Sequence, residues 1–323
     1  MRIGFYGAAA AAAGVLGLAG LSAGARADEI AADGDEACLR ELVVLGAGQD
    51  AGAPQIGHSQ DKGPRLLPAA LALVDREAGT RYLFDASPAI TEQLAALDEV
   101  APPQGGLGID GIFLTHAHIG HYLGLAWLGT EAAGAQDVPV FAMPRMAAFL
   151  RGNGPWSQLV DEGHIAIAEM GEGAFTVLSD EFGVLPVGVP HRDELSETVG
   201  FIIMTPDRRA LYLPDIDSWD EFEARSGSSL EQLVAGVDYA FIDATFWADG
   251  ELEGRDMSAV PHPRVSEVMK RLAPLPDGER AKVHFIHYNH TNAIRDPASA
   301  ESRAVEEAGF AIARRGMRAC LSS

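Results

Sequence analysis

Three histidines stand within six residues of this 323-residue chain, directly after an apolar run. They are His116, His118 and His121, and the run before them, Ile112–Leu114, has the character of a buried strand. The backbone turns where a strand ends, so side chains there can converge on one point. Imidazole nitrogen is a preferred ligand of zinc, so this spacing predicts a metal site. The alternative, histidines that cap a strand or lie on the surface, poorly explains three of the ten histidines in one turn.

The segment from Thr115 to His121 resembles the metal-binding signature of the metallo-β-lactamase superfamily, in the form Thr-His-X-His-X-X-His. Four further landmarks of that superfamily have counterparts in the expected order, each close to the end of an apolar run: Asp85, His191, Asp215 and His287. The resemblance extends from residue 42 to residue 292. It implies an α/β fold, the four-layer αββα sandwich, formed by one domain over residues 28–323.

The resemblance also implies how metal is held. Six side chains are the implied ligands: His116, His118, His191, His121, Asp215 and His287. The first three would hold one ion and leave a coordination position open, an arrangement that lowers the pKa of a bound water to near 7. The last three would hold a second ion, with the Asp215 carboxylate bridging the two. The implied metal is zinc, as one or two ions, with iron or manganese as alternatives.

Three further residues outside the set of six have implied roles or are alternatives to one of the ligands. His262 lies where related branches carry a histidine that is not a ligand, so we interpret it as a general acid for the leaving group; a surface histidine is the alternative. Asp215 and His262 are therefore the catalytic candidates. His290 is an alternative to His287 as the last ligand. Asp85 is interpreted as an acceptor that orients a ligand histidine, with a strand cap as the alternative.

A second resemblance narrows the branch. The Gly-rich opening Leu45–Gln55, the stretch 243–247 and the stretch 287–292 are similar to segments of the PqqB-like group. That group is named after a protein of pyrroloquinoline quinone biosynthesis. The similarity implies cofactor maturation, with oxidative chemistry as one form of it, as an alternative to hydrolysis.

One position departs from the superfamily pattern. Where most members carry an Asp that binds the second metal, this chain has Gly120. Either the second metal site is weaker and differently built, or the chemistry is not ordinary hydrolysis. Asp50, Gln55 and His58 on the first loop are candidates to compensate for the missing carboxylate.

Short apolar runs that alternate with helical patterns are the elements that would position these residues. Strands are predicted at Leu42–Leu45, Leu71–Val74, Tyr82–Phe84, Gly111–Leu114, Val138–Phe141, Phe201–Met204, Ala210–Leu213, Tyr239–Ile242 and Val283–Ile286. Helices are predicted at Ile90–Leu97, Leu230–Val234, Val265–Leu272 and Ala298–Ala308. His284 is expected within a strand and His164 in a surface segment. Four aromatic residues near the candidate ligands wall a pocket or, more commonly for such residues, belong to the core: Tyr122, Trp127, Phe246 and Trp247.

The first 27 residues have the pattern of a secretory signal peptide. Arg2 is followed by the apolar run Ala8–Leu21 and by Ala25-Arg26-Ala27, the small-X-small form at which signal peptidase cleaves. The alternative is a retained membrane anchor, but the run is too short and too rich in Gly and Ala for a span. We therefore expect a periplasmic or secreted protein that is not membrane-bound after cleavage.

Charge limits the class of substrate. The formal net charge is −22, and removal of Arg2 and Arg26 with the signal would make it −24. So acidic a surface repels phosphate backbones, which argues against nucleic acid and leaves a small molecule as the expected substrate. The oligomeric state is not predicted.

The two cysteines, Cys38 and Cys320, flank segments that resemble edge strands and are expected to form a disulfide in an oxidising compartment. Two free thiols are the alternative.

The leading hypothesis is a metal-dependent hydrolase that uses zinc-bound hydroxide on a small ester, lactone, amide or phosphodiester. The alternatives are the PqqB-like cofactor-maturation role and a non-catalytic metal-binding module. The maturation role would favour iron, because zinc has no redox chemistry.

Overall fold

The structure is a computed structural model that describes residues 38–179 and 182–323. The predicted signal segment, residues 1–27, lies outside the described residues. Within the described part, fourteen strands form two sheets of seven strands each. In chain order the strands are β1 (Arg40–Gly46), β2 (Ala70–Asp75), β3 (Thr80–Phe84), β4 (Gly111–Phe113), β5 (Val138–Ala142), β6 (Ile165–Glu169), β7 (Thr176–Ser179), β8 (Phe182–Gly188), β9 (Val199–Met204), β10 (Arg209–Leu213), β11 (Tyr239–Asp243), β12 (Val283–Ile286), β13 (Ala311–Ile312) and β14 (Arg318–Ser322).

Each sheet has an antiparallel half and a parallel half. The first sheet has the order β14-β1-β2-β3-β4-β5-β6, and the strands from β3 to β6 are parallel. The second sheet has the order β13-β12-β11-β10-β9-β8-β7, and the strands from β10 to β13 are parallel. Because the carboxyl ends of parallel strands meet at one edge of a sheet, each sheet offers one edge where loop residues can converge.

Helices cover both sheets. The α-helices of the described residues are α1 (Ile90–Val100), α2 (Ile119–Tyr122), α3 (Pro144–Gly152), α4 (Trp156–Asp161), α5 (Trp219–Ser226), α6 (Leu230–Ala235), α7 (Val265–Leu272), α8 (Asp277–Arg280) and α9 (Ala300–Glu307). Short 3-10 helices span Leu123–Leu128, Met257–Ala259 and Ala293–Arg295. Ser229 caps α6, because its hydroxyl accepts a hydrogen bond from the Gln232 amide at 3.2 Å.

Alternating side chains along the strands build two apolar layers. In β1, Leu42 and Val44 belong to the cluster between the sheets, whereas Val43 and Leu45 pack with residues of α1, α3 and α4. Residues of α5, α6, α7 and α9 pack on the second sheet. The order of layers is therefore helix, sheet, sheet, helix, and the predicted αββα sandwich is confirmed.

The predicted strands and helices are present with boundaries shifted by a few residues, and the strands missing from the prediction lie mostly toward the sheet edges. β6 and β7 lie at or near an edge and keep several partly exposed positions, so their apolar periodicity is weak. One interpretation was wrong. His164 is not in a surface segment but is buried, with Nδ1 at 2.8 Å from the Ala135 carbonyl. Tyr122 packs against Trp156 in the helical layer, so it belongs to the core, which was the more common of the two alternatives for it.

A disulfide joins Cys38 to Cys320, as expected, and ties β14 to the start of β1. The interpretation of both flanking segments as edge strands was half wrong, because β14 is an edge and β1 lies between β14 and β2. In residues 38–179 and 182–323, no helix combines the length and the hydropathy that a membrane crossing requires.

Candidate metal centre

All six candidate ligands lie where strands of the two sheets end. His116, His118 and His121 follow β4 of the first sheet. In the second sheet, His287 directly follows β12, and Asp215 lies two residues after β10. His191 follows β8, which runs in the same direction as β10. The fold thus brings the facing edges of both sheets to one cluster of imidazoles and carboxylates.

The first group of candidate ligands is His116, His118 and His191. His118 Nδ1 lies 2.8 Å from His116 Nε2 and 3.2 Å from His191 Nε2. Two nitrogens at the usual 2.0–2.1 Å from a tetrahedral zinc are about 3.3 Å apart, so this spacing is close to that of a loaded site. The nitrogens of the three rings lie within 4.8 Å of one another, as a common ion requires.

The second group is His121, His287 and Asp215. Asp215 Oδ2 lies 3.0 Å from His121 Nε2 and 3.1 Å from His287 Nε2. The same carboxylate reaches the first group, because Oδ1 is 3.6 Å from His191 Nε2 and Oδ2 is 3.8 Å from His116 Nε2. Asp215 therefore stands between the two groups, in the position of a bridging ligand.

The first sheet supplies outer partners that fix two of these rings. Asp85, directly after β3, accepts a hydrogen bond from His121 Nδ1 at 2.7 Å. It also accepts from the Thr115 hydroxyl at 2.9 Å, and that hydroxyl lies 3.0 Å from His116 Nδ1. With Nδ1 engaged in this way, both rings turn Nε2 toward the cluster. Asp85 is therefore an outer partner of two imidazoles, as the sequence predicted for one.

The second sheet repeats this arrangement. Asp243, the last residue of β11, accepts from the Thr245 hydroxyl at 2.7 Å, and that hydroxyl lies 3.2 Å from His287 Nδ1. Asp243 also accepts from His262 Nδ1 at 2.7 Å. His262 Nδ1 is 3.7 Å from Asp215 Oδ1, so this histidine lies beside the cluster.

The remaining two rings of the first group have more exposed partners. His191 Nδ1 donates to Asp217 Oδ1 at 2.7 Å, which leaves Nε2 facing the cluster. His118 is reversed, because its Nδ1 faces the other imidazoles and its Nε2 faces outward. There it lies 2.9 Å from the Arg192 guanidinium and 3.7 Å from Glu194. Arg192 and Glu194 are both largely exposed, so the first group is the one open to solvent.

Strained backbone is concentrated around the cluster. Among the described residues, five that are not glycine have a positive φ angle: Asp50, Asp85, Asp137, His262 and His287. Three of them are site residues already placed above, Asp85 (φ 68°), His262 (φ 82°) and His287 (φ 63°). Such conformations cost about 1–3 kcal/mol each and persist where the surrounding contacts hold them. The backbone is thus held in an unfavourable form to direct these side chains.

Burial and charge set the protonation of the first group. Burial, together with the neighbouring His121, lowers the pKa of His116 well below its usual value. Burial and His191 lower the pKa of His118 to about 4. These imidazoles are therefore neutral near pH 7, the form that binds a metal.

The two histidines held by aspartates behave in the opposite way. Burial alone would lower the pKa of His121, but Asp85 and Asp215 raise it to about 10. Burial likewise opposes protonation of His262, but Asp243 raises its pKa to about 9. Asp215 remains ionised, because His287 and His121 hold its pKa well below the usual value although burial works against this.

The donor set fits a divalent cation. Asp215 Oδ2 and His287 Nε2 are buried but neither makes a hydrogen bond. A buried polar atom without a partner costs about 1–3 kcal/mol, and these two atoms face each other at 3.1 Å across the second group. A cation between them would satisfy both.

Other predicted residues lie outside the cluster. His290 packs its ring against His58 at 5.1 Å and belongs to none of the ligand groups found among the described residues, so His287 is the better candidate for the last ligand. Gln55 and His58 are exposed or partly exposed on the first loop. Trp127 is 51% exposed, whereas Phe246 is buried beside His262.

Sequence reasoning missed the aspartates behind His191 and His262. Asp217 follows Asp215 by two residues, and Asp243 with Thr245 belongs to the stretch 243–247 that was noted only as a similarity. An Asp-X-Thr directly after an apolar strand was the available signal. The partner of each aspartate, however, comes from a different loop.

A family model described as a beta-lactamase superfamily domain matches residues 80–288. The chain therefore belongs to the metallo-β-lactamase superfamily. Within it, the chain is similar to PqqB proteins. Coenzyme PQQ synthesis protein B of Methylobacterium nodulans is 27% identical over 310 residues, which cover 86% of this chain and 98% of that protein.

Solved structures agree with this fold. The zinc-bound PqqB of Methylobacterium extorquens has a TM-score of 0.70 and 20% identity, and the match covers 86% of this chain and 99% of that one. A diphosphatase of the PhnP family has a TM-score of 0.60 and 23% identity, over 87% of this chain and 96% of that one.

Proposed function

We propose that this protein is a metal-dependent hydrolase that acts on a small ester, lactone, amide or phosphodiester. The observation that carries the proposal is the convergence of His116, His118 and His191 on one point beside the Asp215 carboxylate. The chemistry that a bound dication supplies is the acidification of a water molecule, which makes a nucleophile available near neutral pH. Zinc is the proposed metal, supported by the imidazole-rich donor set and by the zinc-bound PqqB of similar fold.

The chain's own residues supply orientation and a proton. Asp215 is ionised and lies between both ligand groups, so it would help to hold a cation in either group. His262 carries a proton at neutral pH, with Nδ1–H given to Asp243, so Nε2–H remains to be donated to a leaving group. His262 also lines a cavity of about 460 Å³ together with Asp217 and Arg264, which provides room for a small substrate next to the cluster.

The test is metal analysis combined with mutation. We expect the purified protein to carry zinc, to lose hydrolysis of a panel of esters, lactones, amides and phosphodiesters on chelation, and to regain it on zinc addition. His116→Ala should reduce turnover by more than about a thousandfold, because an ion-supplied nucleophile is central to the reaction. Circular dichroism should show that the variant remains folded. Full activity of folded His116→Ala protein would contradict the proposal.

A second candidate is cofactor maturation, which the similarity to PQQ synthesis proteins over 98% of their length favours. An oxidative version requires a redox metal such as iron. Elemental analysis with a dioxygen-consumption assay separates the two functions, since active protein free of iron eliminates the oxidative one.

We also propose export to the periplasm or the medium, on the basis of the signal pattern that ends at Ala27. The disulfide between Cys38 and Cys320 supports an oxidising location. Mass spectrometry of protein from the native host should find a mature chain that begins at Asp28; a chain found intact in the cytoplasm would contradict it.

A further inference from the structure

The position that departs from the superfamily pattern is in close contact with the first loop. A Cβ atom placed on Gly120 would lie 2.8 Å from Asp50 Cα and 2.9 Å from the Asp50 carbonyl oxygen. Real Cβ atoms essentially never come this close to other atoms. The backbone at Asp50 therefore leaves room only for glycine at position 120. The side chain of Asp50 consequently begins close to where the side chain of an aspartate at position 120 would begin.

Hydrogen bonds fix this loop against the second ligand group. The Gln49 amide donates to the Tyr288 carbonyl at 3.0 Å, and the Tyr288 amide donates to the Ala47 carbonyl at 3.0 Å. Tyr288 directly follows the candidate ligand His287. The loop that carries Asp50 is therefore joined to the strand end that carries His287.

The second group has a buried donor atom without a partner. His287 Nε2 is buried and makes no hydrogen bond. The loop that carries Asp50 therefore adjoins a ligand group in which one position is unsatisfied.

The backbone of Asp50 is suited to hold that carboxylate in place. Its φ angle is 46°, in the left-handed region, which Asp and Asn enter more readily than other side chains with a Cβ. Apart from Asp137, every other non-glycine residue with a positive φ among those described belongs to the candidate centre.

We propose that Asp50 is a ligand of the second metal, a carboxylate that the first loop supplies in place of the aspartate that other superfamily members carry at position 120. This inference rests on the proposed metal centre. The ligand would be a divalent cation that accepts both imidazole and carboxylate, such as Zn²⁺ or Mn²⁺. Gly120 would then have a positive role, since only a residue without a side chain lets the loop approach.

The test is a metal titration of apoprotein, which requires no substrate. The wild-type protein should bind two Zn²⁺ ions in a calorimeter and by elemental analysis. Asp50→Asn preserves the shape of the side chain and tolerates the left-handed backbone. It should lower the affinity for the second ion by at least about tenfold and leave the affinity for the first ion unchanged. Asp137→Asn is the matched control, because Asp137 is also exposed and also has a positive φ, 49°, but directly precedes β5, at the end of the parallel strands opposite the one that the ligands follow.

A second variant tests the loop by a different route. Gly120→Ala keeps Asp50 but displaces its backbone, so it should weaken the second ion as Asp50→Asn does, with folding checked by circular dichroism. The inference is overturned if the wild-type protein binds one ion, or if Asp50→Asn binds two ions as tightly as the wild type does. If the protein binds two ions through Asp50 but hydrolyses none of the substrates, this inference holds and the proposed hydrolase function is wrong.

Discussion

Each of the two sheets has a buried aspartate at its strand ends that orients two histidines. Asp85 of the first sheet accepts hydrogen bonds from the Thr115 amide, the Thr115 hydroxyl, the Tyr212 hydroxyl and His121 Nδ1. In the second sheet, the carboxylate of Asp243 has four comparable donors: the Ile216 amide, the Thr245 amide, the Thr245 hydroxyl and His262 Nδ1. Each carboxylate is saturated, buried and fixed, and each holds one imidazole directly and another through a threonine.

The difference lies on the far side of the imidazole. His121 Nε2 faces Asp215 Oδ2 at 3.0 Å inside the cluster, whereas His262 lines the cavity. In the proposed function the first ring would bind metal and the second would deliver a proton. A buried carboxylate fixes the orientation of each histidine, and what lies on the other side of the ring distinguishes the two proposed roles.

Removal of His262 gives the largest expected effect and tests this division directly. His262→Asn, chosen because Asn tolerates the positive φ, should lower kcat by about 10²–10⁴ while metal content stays at the wild-type value. The measurements are steady-state kinetics and elemental analysis. Loss of an ion from this variant would show that His262 is a metal ligand, as His121 is proposed to be.

The pH dependence of metal binding should differ between the two ligand groups. Because the pKa of His121 is raised to about 10, binding at the second group must displace a proton near pH 7. The affinity there should fall about tenfold for each unit of pH below about 10. The pKa of His118 is about 4 and that of His116 is well below its usual value, so neither residue has a proton to release between about pH 8 and about pH 6, and the affinity of the first group should depend less steeply on pH. Zinc titrations in buffers of different protonation enthalpy would measure this, and equal slopes for both ions would contradict it.

Asp85→Asn should weaken metal binding more than Asp243→Asn does. Loss of an outer carboxylate typically lowers metal affinity by about 10–100-fold, and Asp85 holds His121 directly and His116 through Thr115. Asp243 holds only one candidate ligand, His287, and does so through Thr245. Competition with a chelator would rank the variants. Equal losses would indicate that both carboxylates serve the metals alike.

The smallest effect expected is a shift in the pH profile of Asp243→Asn. The Asp243 charge raises the pKa of His262 to about 9, so its removal should lower that pKa. The proton donor would then be lost at lower pH, and the alkaline limb of kcat should move down by about one unit or more. Asp217→Asn, which changes the partner of His191 and removes a smaller contribution to the pKa of His262, should move that limb in the same direction by less. If the alkaline limb of the kcat profile does not move in Asp243→Asn, His262 is not the proton donor.

Much of the fold and of the cluster could be predicted from the sequence. Val283–Ile286 and Val265–Leu272 match their predicted boundaries, because all four residues of the strand are buried and the apolar residues of the helix lie on one buried face. The predicted ligands lie together because each follows a strand, and strand ends of a layered sheet meet. Short elements such as β7, with no buried position in its four residues, gave no such signal.

The sequence alone determined the kind of chemistry, since the identity and spacing of His116, His118 and His121 specify imidazole ligands at the end of a strand. Only the tertiary structure decided which outer partner holds each ring and what occupies the space beside Gly120. Those contacts join residues far apart in the chain, such as Asp50 and Gly120 or Asp85 and Tyr212, through side chains of different loops. Local pattern cannot report them, because hydrogen-bond geometry and close packing exist only after both sheets have come together.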